Sequence, residues 1–72
     1  MNPALEAQLL EAHARDDRAA MVALYRQAAD AVEGDARGFF LTQAYVFALE
    51  TAHPDAGALR AALVAMGREV AD

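Results

Sequence analysis

Alanine fills 20 of the 72 positions of this chain, while serine, cysteine, lysine and tryptophan fill none. Alanine is the best helix former, so the expected architecture is all-α. The missing residues limit the chemistry as well. Without serine or cysteine, most of the common covalent nucleophiles are absent. Disulfides and thiolate-based zinc sites are excluded for the same reason. A chain of this length forms one domain, spanning 1–72, and buries only about 60% of its unfolded surface. Its remaining means of stabilisation are tight helix packing and association with another chain. An apolar content of 57% points toward association.

The formal net charge is −5, and the six basic residues, Arg15, Arg18, Arg26, Arg37, Arg60 and Arg68, are spread along the chain. Displacing counterions from nucleic acid requires a concentrated basic face, and none is visible, so no nucleic-acid partner is expected. An anionic membrane surface is disfavoured on the same ground. Residues 1–6 show no basic segment followed by an apolar run, and no apolar stretch reaches the roughly 18 residues of a membrane span. A cytoplasmic location is the resulting expectation. The bias toward Ala, Arg, Gly and Asp, with Lys and Ile missing, is that of a GC-rich bacterial coding sequence.

Periodicity predicts four antiparallel helices arranged as two hairpins, at about 3–33 and 36–71. The first helix covers about 3–15, with Asn2 as N-cap and Pro3 at the first helical position, where its missing N–H costs nothing. Leu5, Leu9 and Ala12 share a face. Asp16 and Asp17 break the pattern, and either suits the cap of a second helix running to about residue 33. Met21, Leu24, Tyr25, Ala28 and Val32 form its apolar stripe. Gly34 suits a left-handed C′ position, and Asp35 the cap of the next helix.

The third helix, about 36–52, is apolar over nearly its whole circumference, with only Arg37, Gln43 and Glu50 making a narrow polar stripe. Such a helix is either central or a contact surface for another chain. His53-Pro54-Asp55 ends it, because a residue preceding proline is disfavoured in α conformation. A fourth helix from 54 or 55 to about 71 buries Leu59, Ala62, Leu63, Met66 and Val70. Gly57 and Gly67 are expected to admit close neighbours.

Few constellations suggest chemistry. Thr42 and Thr51 are the only aliphatic hydroxyls and read as polar-side helix residues. Glu50 and His53 have the i, i+3 spacing of carboxylate-bridged di-metal bundles, which a homodimer would complete. His53 before Pro54 reads more simply as a helix-end residue. His13 with Asp16 and Asp17 has similar spacing, but the aspartates read as caps. Neither a catalytic residue nor a metal or cofactor site is assigned.

The second hairpin resembles a tetratricopeptide repeat. Phe40 fits the large aromatic of its first helix, Ala44 the small residue, Phe47 the second aromatic, and Ala56 the small residue opening its second helix. Gln43, Arg60 and Leu63 depart from the pattern. In the first hairpin, Tyr25 and Ala28 match the aromatic and alanine of the second helix. The resemblance implies two helical hairpins, in a right-handed solenoid-like stack or a small bundle, that recognise a protein or peptide. The family's carboxylate clamp does not carry over, since lysine is absent and Asn2 is the only asparagine.

The expected function is thus a non-catalytic protein-interaction module. Its surface is the aromatic third helix with Arg37, Phe39, Phe40, Gln43, Tyr45 and Phe47, and its partner is a protein, a peptide or another copy of itself. Phe39 and Phe40 are about 100° apart on a helix and are not expected to enter one small core in the same direction, and Tyr45 and Val46 repeat the conflict. Arg37 and Gln43 are expected at the rim. A structural homodimer or subunit of a larger assembly is one alternative. A metal-binding or enzymatic dimer built on Glu50 and His53 is another.

Overall fold

The side chain of Asn2 accepts a hydrogen bond from the Leu5 N–H at 2.7 Å, and helix α1 (Pro3–Ala14) starts there. In the computed structural model, which describes residues 2–68, α1 is followed by α2 (Arg18–Asp30), α3 (Gly34–Glu50) and α4 (Ala56–Ala65). Among the described residues there is no strand. Asp17 caps α2 by accepting from Ala20 N–H at 3.1 Å. The fold is all-α, as the alanine content and the apolar periodicity predicted.

Three helix ends share one geometry. After α1, Asp17 N–H donates to Ala12 C=O at 2.9 Å and Asp16 N–H to His13 C=O at 3.2 Å. After α3, His53 N–H reaches Ala48 C=O at 2.8 Å and Ala52 N–H reaches Leu49 C=O at 3.4 Å. After α4, Arg68 N–H reaches Leu63 C=O at 3.0 Å and Gly67 N–H reaches Val64 C=O at 2.9 Å. Each is a Schellman motif, which needs a left-handed residue at C′. Gly67 (φ +77°) meets that need without cost, whereas Asp16 (φ +52°) and Ala52 (φ +50°) do not.

An alanine held left-handed costs roughly 1–2 kcal/mol, part of which glycine returns through its larger unfolded-state entropy. Ala52→Gly is therefore expected to stabilise the fold by about 1 kcal/mol, raising Tm by roughly 4–8 °C in thermal denaturation. An unchanged or lowered Tm would contradict the strain assigned to Ala52. Asp16→Gly should gain less, since aspartate tolerates this region better.

The α2–α3 interface is the most extensive, and each helix packs against its neighbour in sequence. Val22 and Ala29 of α2 meet Leu41, Ala44, Tyr45 and Ala48 of α3 and Leu59 and Leu63 of α4 in one cluster. A second cluster joins Leu5 and Leu9 of α1 to Ala28. Tyr25 and Phe40 pack against both clusters and so link them. Ion pairs fasten the helix ends: Arg18 to Glu50 at 3.0 Å, Arg26 to Asp55 at 2.8 Å and Arg68 to Asp35 at 3.0 Å. The molecule measures 31 × 26 × 15 Å. Its shortest dimension is that of two helix layers, with axes about 8–10 Å apart and a Cα radius of about 2.3 Å.

Several boundaries differ from the sequence expectation. Helix α2 stops at Asp30 because Ala31 and Val32 N–H groups turn to the carbonyls three residues back, tightening the last turn. Gly34 is left-handed (φ +63°) as expected, but it opens α3 rather than closing α2. Asp35 does not cap α3; it lies in its first turn and pairs with Arg68. Helix α4 ends at Ala65, so Met66 stands beyond it and is 37% exposed instead of joining the buried stripe. Val70 and Ala71 lie outside the described residues. No neighbour approaches the position of a Cβ at Gly57 or Gly67. The close approach is at Gly38, where a Cβ would overlap the guanidinium of Arg68.

Candidate interaction face on the third helix

Phe39, Thr42, Val46 and Leu49 follow one another at three-, four- and three-residue steps, so they share one side of α3. That side faces outward: Phe39 is 57% exposed, Val46 42% and Leu49 54%. Thr42 is exposed too, but its hydroxyl already donates to Gly38 C=O at 2.8 Å. From residue 38 to residue 49 the helix carries no charge. Beyond these limits stand two bridged pairs, Asp35 with Arg68 and Glu50 with Arg18.

Beside this stripe runs a row of aromatic rings. Tyr25 of α2 lies between Phe47 (centroids 5.9 Å apart, planes 8° apart) and Phe40 (6.1 Å, 29°). Phe40 meets Phe39 edge to face at 5.5 Å. At the other end, His13 of α1 meets Phe47 at 6.3 Å, and its Nε2 lies 3.0 Å from the Tyr25 hydroxyl. Edge-to-face and offset stacked rings attract one another beyond their shared buried area, so the row braces α3 against α1 and α2. It also holds Phe39 at the edge of a stiff support.

The expected surface residues thus separate. Phe39 is the most exposed of the aromatics, and Phe40, Gln43 and Phe47 are half-buried along the flank of the stripe. Tyr45 is a correction: only 6% exposed, it belongs to the core shared by α2, α3 and α4 and offers no contact surface. Its neighbour Val46 takes the outward place. Arg37 is exposed, but nine residues from Val46 places it about 180° around the helix, so it is not at the rim of this face. Val46 and Leu49 complete this outward side and were not among the expected surface residues. Their spacing from Phe39 was the available signal.

The side chains considered for metal or catalytic roles are engaged elsewhere. Glu50 pairs with Arg18, while His53 Nδ1 accepts from Asp55 N–H at 3.0 Å. His13 is held by Tyr25, Asp17 caps α2, and Asp16 contacts Arg18 at 3.3 Å. Among the described residues, no group of three or more His, Asp or Glu side chains gathers as a metal would require. Thr42 and Thr51 both donate to carbonyls four residues back, each at 2.8 Å. A shallow groove of about 350 Å³ between α1 and α2 is lined by Gln8, Glu11, Ala12, Arg15, Ala20, Ala23 and Leu24. It lies on the flank of α1 away from His13.

No helix among the described residues is long and apolar enough to cross a membrane. Comparison with known protein families, curated proteins and solved structures finds no match to this chain.

Proposed function

We propose that this protein is a small non-catalytic interaction module that binds a protein through the outward side of α3. A tetratricopeptide-like pair of hairpins and a cytoplasmic setting belong to the same reading and rest on the sequence. One observation carries it: Phe39, Val46 and Leu49 stand exposed together on a helix that is uncharged from 38 to 49. Single exposed apolar side chains are ordinary, but a contiguous patch marks an interaction surface. Aromatic enrichment and depletion of charge are the compositional marks of an interface core. Gln43, Phe40 and Phe47 complete the surface on one flank.

The test compares proteins cross-linked to or retained by three variants. Val46→Asp and Phe39→Asp should each lose retained protein by at least roughly tenfold, the effect of about 1.4 kcal/mol. Leu10→Asp, on α1 and 69% exposed, should retain the wild-type amount. Equal retention by all three would place any binding elsewhere and end this reading. Helical circular dichroism should be unchanged throughout, because none of the three residues is buried.

A further inference from the structure

The uncharged side of α3 accepts one occupant particularly well. We infer that it is a second copy of this chain, docked with the two α3 helices antiparallel about a two-fold axis level with residue 44. This rests on the α3 face being the binding surface. In that arrangement Phe39 lies opposite Leu49 of the second copy, and Thr42 opposite Val46, each contact occurring twice by symmetry. A three-four-three spacing is the seam of two packed helices, and an isologous interface requires a surface complementary to itself. The large Phe39 and Leu49 then close the two ends, and the smaller Thr42 and Val46 fill the middle.

Electrostatics permit this occupant. Two copies of a chain of net charge −5 repel overall, and the uncharged surface of α3 from 38 to 49 lets them meet with no like charges in contact. At the two ends of that surface each carboxylate is already matched by an arginine, Asp35 by Arg68 and Glu50 by Arg18. Antiparallel docking sets one such pair beside the other, so neither end buries an unmatched charge. An acidic or basic peptide would find no opposite charge along the stripe. Desolvating Thr42 leaves no donor unsatisfied, because its hydroxyl is bonded within the helix.

The seam is short. Four side chains per copy over three turns make an interface smaller than the roughly 1,600 Å² of the standard class, toward its weak end. The expected dissociation constant is on the order of micromolar or weaker.

The chain has no cysteine, so introduced thiols report geometry directly. Thr42→Cys and Val46→Cys should be mixed, oxidised mildly and resolved by mass. The heterodisulfide should clearly exceed the half expected of random pairing, since disulfides need Cα atoms about 4.4–6.8 Å apart. Predominant homodisulfides would mean parallel packing or chance collision and overturn the inference. Light scattering of the unmodified chain should show the mass rising toward a dimer by roughly 1 mM, with Val46→Asp remaining monomeric and Leu10→Asp following the unmodified chain. A monomer at every concentration would also overturn it. The broader reading would still stand if the retention test had shown loss confined to the α3 variants, and would fall only if that test had failed.

Discussion

Leu59→Ala is expected to destabilise the protein by about 2–5 kcal/mol, a large part of the roughly 4–11 kcal/mol available to a domain of this size. Leu59 is 1% exposed and projects from α4 into the cluster that α2, α3 and α4 share. Helix α4 has 10 residues, and its buried positions are Leu59 and Leu63. A helix that short is not stable alone and depends on such anchors. Truncating one removes its transfer free energy and leaves a cavity. Three of the cluster's other seven buried residues are Ala29, Ala44 and Ala48, whose short side chains have no rotamer with which to fill it. Urea denaturation followed by helical circular dichroism, at concentrations low enough to keep the chain monomeric, gives the difference directly. Val64→Ala is the control: the residue is 56% exposed, and a change within about 0.5 kcal/mol is expected. A loss below about 1 kcal/mol at Leu59 would show that α4 does not anchor through it.

The second large effect comes from the opposite change. Ala44 has no exposed surface and sits within the same cluster. Ala44→Leu adds three carbons to a buried cluster that Val22, Ala29, Leu41, Tyr45 and Leu63 already share, so neighbouring helices must separate or adopt poor rotamers. Overpacking of this kind costs about 1–3 kcal/mol, occasionally more. Leucine is almost as good a helix former as alanine, so backbone propensity does not account for the loss. Ala61→Leu, on the exposed side of α4, should leave stability nearly unchanged in the same urea experiment. If Ala44→Leu is accepted as readily as Ala61→Leu, the helices are not in close contact at Ala44.

Much of the local structure was readable from residue order. Asn2 caps α1, Pro3 occupies its first position, Asp17 caps α2, and Leu5, Leu9 and Ala12 are buried on one face as their spacing required. Caps, helix propensity and the 3.6-residue period act within one or two turns, so neighbouring sequence contains what they need. The separation of Phe39 from Phe40 was legible for the same reason. Consecutive helical residues diverge by about 100° wherever the helix lies.

The third helix shows where that logic stops. Its apolar residues surround the axis, so periodicity identifies no preferred side and leaves Tyr45 and Val46 equivalent. The positions of α2 and α4 against α3 broke the tie, drawing Tyr45 into the core and leaving Val46 outside. The glycine assignments failed similarly. Gly57 and Gly67 look like sites of close approach, yet the glycine with a close neighbour is Gly38, beside the guanidinium of Arg68, 30 positions along the chain. Ala52 in a left-handed conformation contradicts local preference and is held there by the Schellman bonds that end α3.

The sequence by itself therefore determined that this protein is all-α, where α1 and α2 begin, and that its third helix has more apolar surface than one core can use. These follow from interactions between residues a few positions apart. Only the tertiary structure decided which part of that surface is left over, because burial depends on where helices distant in sequence come to rest. It left Phe39, Thr42, Val46 and Leu49 outward, on a stretch of helix without a charge.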